Sequence, residues 1–498
     1  MIRRDRLGEW VFGISLILLA IYFLVRIIDM SKITYIFPLI GSIDWNSHMA
    51  QLFLLKTYGY NNLVPVWYGG IYIFSLYPPG WYFFTLPLYL LIKNVQISAY
   101  LSMLVLLAVN FISIFYIGKL QGLSIWKRIL FFLILFANPI SIGNFIVLGR
   151  VSELFAWTLV FLLILLLMVY ETKKIDFKFI LLYIVLFSFL LLSHPATTFL
   201  YLIYLFSYLL LQNRIKWVNI FFLTIIGIAL TSFWWPKYII SLSGTIVTTN
   251  ISERLLNFSG PWMWTSIASI IIPLSLWVVF IFYYKSSKRN KKELIFFLPA
   301  LLFSFLLLSK AIIFIPIFNR VFPDIYIFYF LFFLSLYFLK TNFSYFGFLK
   351  KVVYIIFVLV VILSIFVSVY HTPFFKDHNS FQSEILEILP EINAPYYILP
   401  IDGSVAYISS FINYATIFLD KTTVGGSNSL FRTKEYGENV DNLIDSVSSN
   451  DCVGISEALE ELNASNLIGS EDQCNVLEEC EQLKEIKKTD NVCLYSSK

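Results

Sequence analysis

The sequence predicts a polytopic α-helical membrane protein of about eleven spans, with juxtamembrane or re-entrant helices in its first outer loop and a soluble α/β domain at its C-terminus. Three observations lead there. Hydrophobic side chains make up 59% of the 498 residues and charged ones 13%. A soluble fold carries about a quarter charged residues and cannot hide this much apolar surface. Charge is also split along the chain: residues 1–371 carry a net +18 and residues 372–498 a net −13. Finally, all four cysteines, Cys452, Cys474, Cys480 and Cys493, lie in the acidic part. The chain therefore divides into a membrane domain, 1–371, and a soluble domain, 372–498. The basic excess belongs to membrane loops, with no basic groove of interleaved aromatics, and nucleic acid is not an expected partner.

The apolar run from Trp10 to Ile28 follows a basic N-terminus; it is too long for a signal peptide and reads as an uncleaved first span. Further spans fall near 97–117, 129–147, 154–170, 179–193, 196–212, 218–238, 263–284, 294–309, 325–339 and 351–370. Segment 78–92 is apolar but holds Pro78, Pro79 and Pro87. If it crossed the membrane, the basic loops would face outward. If it lies in the interface, inside loops hold 19 Lys and Arg and outside segments before residue 372 hold 8, as the positive-inside rule requires. The N-terminus is then cytoplasmic and the C-terminal domain extracytoplasmic. Four cysteines in an oxidising setting suggest two disulfides, with three possible pairings.

In the C-terminal domain YYILPI (396–401), IFLDKTTVGG (417–426) and DNVCLYSS (490–497) read as strands. ENVDNLIDSVSS (438–449) and ISEALEELNAS (455–465) read as amphipathic helices. No phosphate loop or nucleophile elbow appears there.

Ionisable residues of the membrane domain concentrate at outer positions, where they are costly and often functional. The first outer loop, 30–96, holds Asp44 and His48 four apart, on one helix face. Asp44 can act as a base or metal ligand, and His48 as second ligand or orienting group; the structural alternative has Asp44 capping its helix. The second outer loop holds Arg150 and Glu153, which suit a phosphate and an acceptor or metal; they equally suit a helix start. His194 precedes Pro195, either a helix start or a cavity histidine. Glu253 and Arg254 lie in the polar outer loop 239–262, which can close over a lipid. Arg320 and Asp324 share another outer corner, either a phosphate site or an ion pair.

The order of Asp44, Gly69-Gly70 and Tyr77-Pro78-Pro79 after a first span resembles the C-type glycosyltransferase superfamily, multispanning enzymes that use polyprenyl-phosphate-linked sugars. The resemblance implies a catalytic acid at Asp44, a proline stretch at Tyr77, a second acid at Glu153 and a late phosphate-binding arginine at Arg320. It implies a lipid-phosphate-sugar donor, a saccharide, lipid or protein acceptor, and a cell-envelope glycosylation role. A divalent cation, Mg or Mn, on Asp44, His48 and Glu153 stays open, because Asn46 stands where the family's paired second acid would be. The resulting expectation is inverting sugar transfer at the outer face, with Asp44 as general base. His194, Glu253, Arg254 and Tyr77 are candidate substrate-binding residues beside Arg150 and Arg320. A flippase of lipid-linked saccharide, or a non-catalytic scaffold, are the alternatives; a transporter predicts internal repeats and midplane polar residues, which the sequence lacks.

Overall fold

The computed structural model describes residues 6–243, 251–259, 263–287, 291–315, 321–400, 405–426 and 434–498. Arg320 lies outside these residues, as does the side chain of Glu253.

Helix α1 (Arg6–Met30) leaves Ile14, Ile17, Ile21, Leu24 and Ile28 exposed at three- and four-residue spacing, a stripe suited to lipid. Then come α2 (Ile43–Tyr58), the short α3 (Ile73–Leu76), α4 (Gly80–Ile92) and the long α5 (Val95–Leu120). Helix α6 (Ile125–Phe136) bends by 53° into α7 (Pro139–Ser141) and a π-helical stretch, Ile142–Leu148. The predicted straight span 129–147 is thus broken. Asn138 caps the Ile140 and Ser141 amides, and Pro139 cannot continue the α6 hydrogen bonds. Helix α8 (Val151–Val169) is buried on all sides from Val151 to Phe161. It is followed by α9 (Phe177–Ser193), α10 (Pro195–Leu209), α11 (Arg214–Leu230), α12 (Trp235–Ser243), α13 (Ile251–Leu256), α14 (Met263–Ser286), α15 (Lys291–Leu308), α16 (Pro323–Lys340) and α17 (Phe348–His371). Among the described residues six helices are long and apolar enough to cross a membrane alone, and the bent pair makes a seventh. With the shorter α9, α10, α11 and α15, each of the eleven spans read from the sequence corresponds to a helix.

Contacts at helix ends sort the bundle into two faces. Lys127 Nζ donates to Leu339 O (2.6 Å), and Lys340 Nζ donates to Gln121 Oε1 (2.8 Å) and pairs with Glu293 (3.2 Å), so α5, α6, α15 and α16 share ends on one face. On the other, Gly80 abuts Leu192 and Ser193 at the end of α9, and Gln96 Nε2 donates to Ile33 O (2.7 Å) past the end of α1. Both ends of α4 lie on this second face, so α4 runs along the bundle and does not cross it, as read from the basic loops.

The chain continues with α18 (Ser380–Ile388), α19 (Val405–Phe418), α20 (Lys434–Ser448), α21 (Cys452–Glu461) and α22 (Glu471–Glu478). They surround a sheet of β1 (Tyr396–Ile398), β2 (Asn466–Ser470), β3 (Leu483–Lys488) and β4 (Val492–Ser497), in the order β1-β2-β4-β3. β1 runs parallel to β2, and the other pairs are antiparallel. The expected strand over 417–426 does not form: α19 extends to Phe418, and only Thr423 pairs, as a single bridge to Tyr396. Ile417 belongs to a helix that packs on α2, a tertiary choice that overrides strand preference, and Thr422, Thr423 and Val424 lie in the irregular segment after it. β3, LKEIKK, escaped the sequence reading because it is a charged edge strand.

The four cysteines pair as Cys452–Cys480 and Cys474–Cys493, with Cα separations of 5.2 and 5.8 Å. They close loops of 28 and 19 residues, each worth about 3–4 kcal/mol in the chain-entropy account. Non-reducing peptide mass spectrometry should return these two pairs, and reduction should lower the unfolding temperature of the 372–498 region. Four free thiols, or a different pairing, would contradict the arrangement.

Candidate active site

The start of α2 is fixed against the π-helical stretch. Ser42, the N-cap residue, donates through Oγ to Val147 O, and buried Trp45 donates Nε1 to Ile146 O (2.8 Å). Gly149 follows with φ +85°; a Cβ there would also drive into the Trp45 ring, so only glycine fits. Asn46 accepts from Leu39 N (3.0 Å) and donates to Leu39 O and Ser410 Oγ (both 2.8 Å). A carboxylate could not donate those two bonds, so the missing second acid has a structural explanation.

Asp44 is not the cap. It lies in the first turn of α2, where backbone N–H groups favour an anion, and its side chain remains 44% exposed. Its partner is Arg150, the residue before α8, whose Nε is 3.7 Å from Asp44 Oδ2. Arg150 also reaches Glu153 Oε2 (3.8 Å) and donates Nη1 to Asp324 Oδ2 (3.1 Å). One guanidinium thus gathers three carboxylates from α2, α8 and α16. Burial raises the Asp44 pKa and the Arg150 charge opposes it. Glu153 is 3% exposed and accepts Trp157 Nε1 (3.2 Å) through Oε1.

The structure brings Asp44, Arg150, Glu153, Tyr77 and Arg254 to one place. Tyr77 lies within electrostatic reach of Asp44, Arg150 and Glu153, and burial pushes its phenol up. The Arg254 guanidinium lies over the Phe322 ring at 4.2 Å, and Arg150 lies over the same ring at 4.7 Å. His48 packs edge-on against Tyr77, with ring centroids 5.6 Å apart, and its Nδ1 is used by α4. Its Nδ1 meets Tyr82 Oη (2.6 Å), which donates onward to Gln51 Oε1 (2.6 Å), so Nδ1 carries the proton. Burial drops the His48 pKa to about 3, and the ring stays neutral. His194 caps α10: its Nδ1 accepts from Thr197 N (3.3 Å), as the Pro195 helix start allows. Burial and then the Arg150 charge lower its pKa to about 4.

These residues do not form the metal-ligand set that the sequence left open. His48 points to Tyr82, and the carboxylates converge on a guanidinium that already supplies positive charge. Among the described residues no group of three or more His, Cys, Asp or Glu side chains is placed to hold a metal ion.

Asp324 pairs with Arg150, 174 residues away, a partner the sequence did not suggest; its expected neighbour Arg320 lies outside the described residues. Sequence reasoning also missed Trp157 and Phe322. A tryptophan one helical turn beyond Glu153 was a usable signal for the first; nothing local marks Phe322.

No protein-family model matches the chain, and no curated protein sequence matches it. Solved structures do. The arabinofuranosyltransferase AftD from Mycobacteria superposes with TM-score 0.59 at 14% identity, over 96% of this chain and 40% of that one. The chain thus spans well under half the length of that protein. The archaeal oligosaccharyltransferase AglB from Archaeoglobus fulgidus, in complex with an inhibitory peptide and a dolichol-phosphate, gives 0.56 at 9% identity, over 91% and 69%. It has also been solved with Zn and sulfate. ArnT from Cupriavidus metallidurans gives 0.52 at 10% identity, over 96% and 97%. The chain has the fold of the C-type glycosyltransferases.

Proposed function

We propose that this protein is a membrane glycosyltransferase that moves a sugar from a polyprenyl-phosphate donor to an acceptor hydroxyl, with Asp44 as general base. The observation that carries the reading is a solvent-reachable Asp44 carboxylate held beside Arg150, with Glu153 and Asp324, at one face of a bundle with the C-type fold. In the proposed step the acceptor O–H gives its proton to Asp44. The oxygen bonds to the anomeric carbon from the face opposite the phosphate, so configuration inverts. The bond from that carbon to the phosphate oxygen breaks, and the polyprenyl phosphate leaves with the electron pair. Arg254, beside the cluster, is the described cation suited to that phosphate; Arg320 is a second candidate, outside the described residues. Arg150 keeps three carboxylates together, and its charge favours the ionised form of Asp44. The dolichol-phosphate bound to the archaeal oligosaccharyltransferase supports the donor class.

The test is release of polyprenyl phosphate by the purified protein, offered dolichyl- and decaprenyl-phosphate conjugates of mannose, glucose and arabinose with a pool of oligosaccharide and lipid acceptors. Consumption of one donor with transfer supports the proposal. Movement of intact donor across a vesicle bilayer without transfer would favour a flippase.

The site face is proposed to be extracytoplasmic, because the opposite face carries the basic loops. A cysteine-labelling scan is then expected to place 285–292 inside and 380–498 outside. Labelling of both from one side would contradict the eleven-crossing arrangement.

A further inference from the structure

A cavity of about 260 Å³ lies between residues 64–71 of the first loop and the C-terminal region, away from the Arg150 cluster. Val64 and Ile71 pair as a small hairpin. Its tip is tied to the far side by Thr423 N donating to Val66 O (3.0 Å) and Tyr68 N donating to Gly425 O (3.2 Å). Tyr68 holds φ +50°, a backbone region unfavourable for a residue with a side chain, and Gly69 and Gly70 continue it at +70° and +115°. The result is a tyrosine ring laid against Gly426, where a Cβ would collide with it, and edge-on to Tyr436 at 5.1 Å.

The cavity wall combines Tyr68 and Tyr436 with Glu435, Glu461, Asn439 and Asn463. Aromatic rings take the C–H faces of a sugar, while carboxylates and amides hold its hydroxyls. Glu435 and Glu461 put two carboxylates on the wall, which disfavours phosphate, uronate or sulfated ligands. The hairpin hangs from the C-terminal end of α2 and Asp44 sits in its first turn. None of the Arg150 cluster residues lines the cavity, so the two sites are separate.

Resting on the glycosyltransferase reading above, we propose that this cavity is an acceptor subsite. It holds a neutral sugar unit of the acceptor other than the one that receives the transferred sugar, which makes the acceptor an oligosaccharide. The full-length protein in detergent, probed by saturation-transfer NMR and calorimetry with neutral hexasaccharides of mannose, galactose and arabinose, tests this. A hexagalacturonate and a lysine-rich hexapeptide serve as contrasts.

At least one neutral hexasaccharide should bind wild type and Asp44→Asn equally, and Tyr436→Ala about 10-fold more weakly. Glu461→Gln, a surface change that leaves the fold intact, should weaken it by a smaller factor. Absence of neutral hexasaccharide binding, equal binding by wild type and both cavity variants, or preference for hexagalacturonate or peptide would overturn the proposal. Retained turnover by Asp44→Asn with normal hexasaccharide binding would remove Asp44 from the mechanism and leave the subsite standing.

Discussion

Asp44→Asn is expected to lower sugar transfer by about 10²–10⁴-fold, the usual worth of a positioned base, while donor binding survives. The side chain keeps its shape and loses only the proton acceptor. Donor binding should persist because the phosphate is assigned to arginines and not to this carboxylate. The pH profile adds a second readout. Burial raises the Asp44 pKa, and a base works only when ionised, so transfer should fail on the acid side at a higher pH than an ordinary aspartate would set. Single-turnover release of polyprenyl phosphate at several pH values measures both. Turnover near wild type would pass the base role to Glu153, one of the two further carboxylates on Arg150.

Arg150→Gln carries the largest expected structural effect. Removing the guanidinium leaves Glu153, 3% exposed, without a compensating charge and beside two further carboxylates. Stranding a buried charge in this way costs about 3–5 kcal/mol. The variant should lose thermal stability in detergent and lose transfer together. Adding Glu153→Gln should recover part of the stability, because it removes the stranded charge and keeps an oxygen for Trp157, but should not recover transfer. Equal melting of wild type and Arg150→Gln would mean that the carboxylates do not depend on Arg150.

The membrane architecture was legible because it rests on quantities the sequence displays directly: long apolar runs, and basic residues sorted by loop. The placement of 78–92 followed from loop charge and from Pro78, Pro79 and Pro87, and Gly80 against Ser193 with Gln96 against Ile33 sets both ends of the segment on one face. Asp44, Arg150 and Glu153 were legible as rare charges at span ends. Their convergence on Arg150 was not, because Asp324 arrives from a helix 174 residues away and no spacing encodes that. His48 shows the limit of local spacing. Sharing a helix with Asp44 suggested a ligand pair, yet a partner from α4, Tyr82, decides where the ring points. Ile417 misled for a related reason: the packing of its helix on α2 lies outside any local window.

A cavity of about 290 Å³ at the opposite face, lined by Gln121, Glu171, Tyr204, Tyr208, Lys292 and Glu293, offers the competing place for a lipid headgroup. The most direct test is therefore a density map of the protein with a non-hydrolysable polyprenyl-phosphate sugar. The account predicts the phosphate beside Arg254 and the anomeric carbon facing Asp44, with room for an acceptor hydroxyl between them. A phosphate seated among Lys292, Gln121 and Tyr208, with the Asp44 cluster empty, would contradict it.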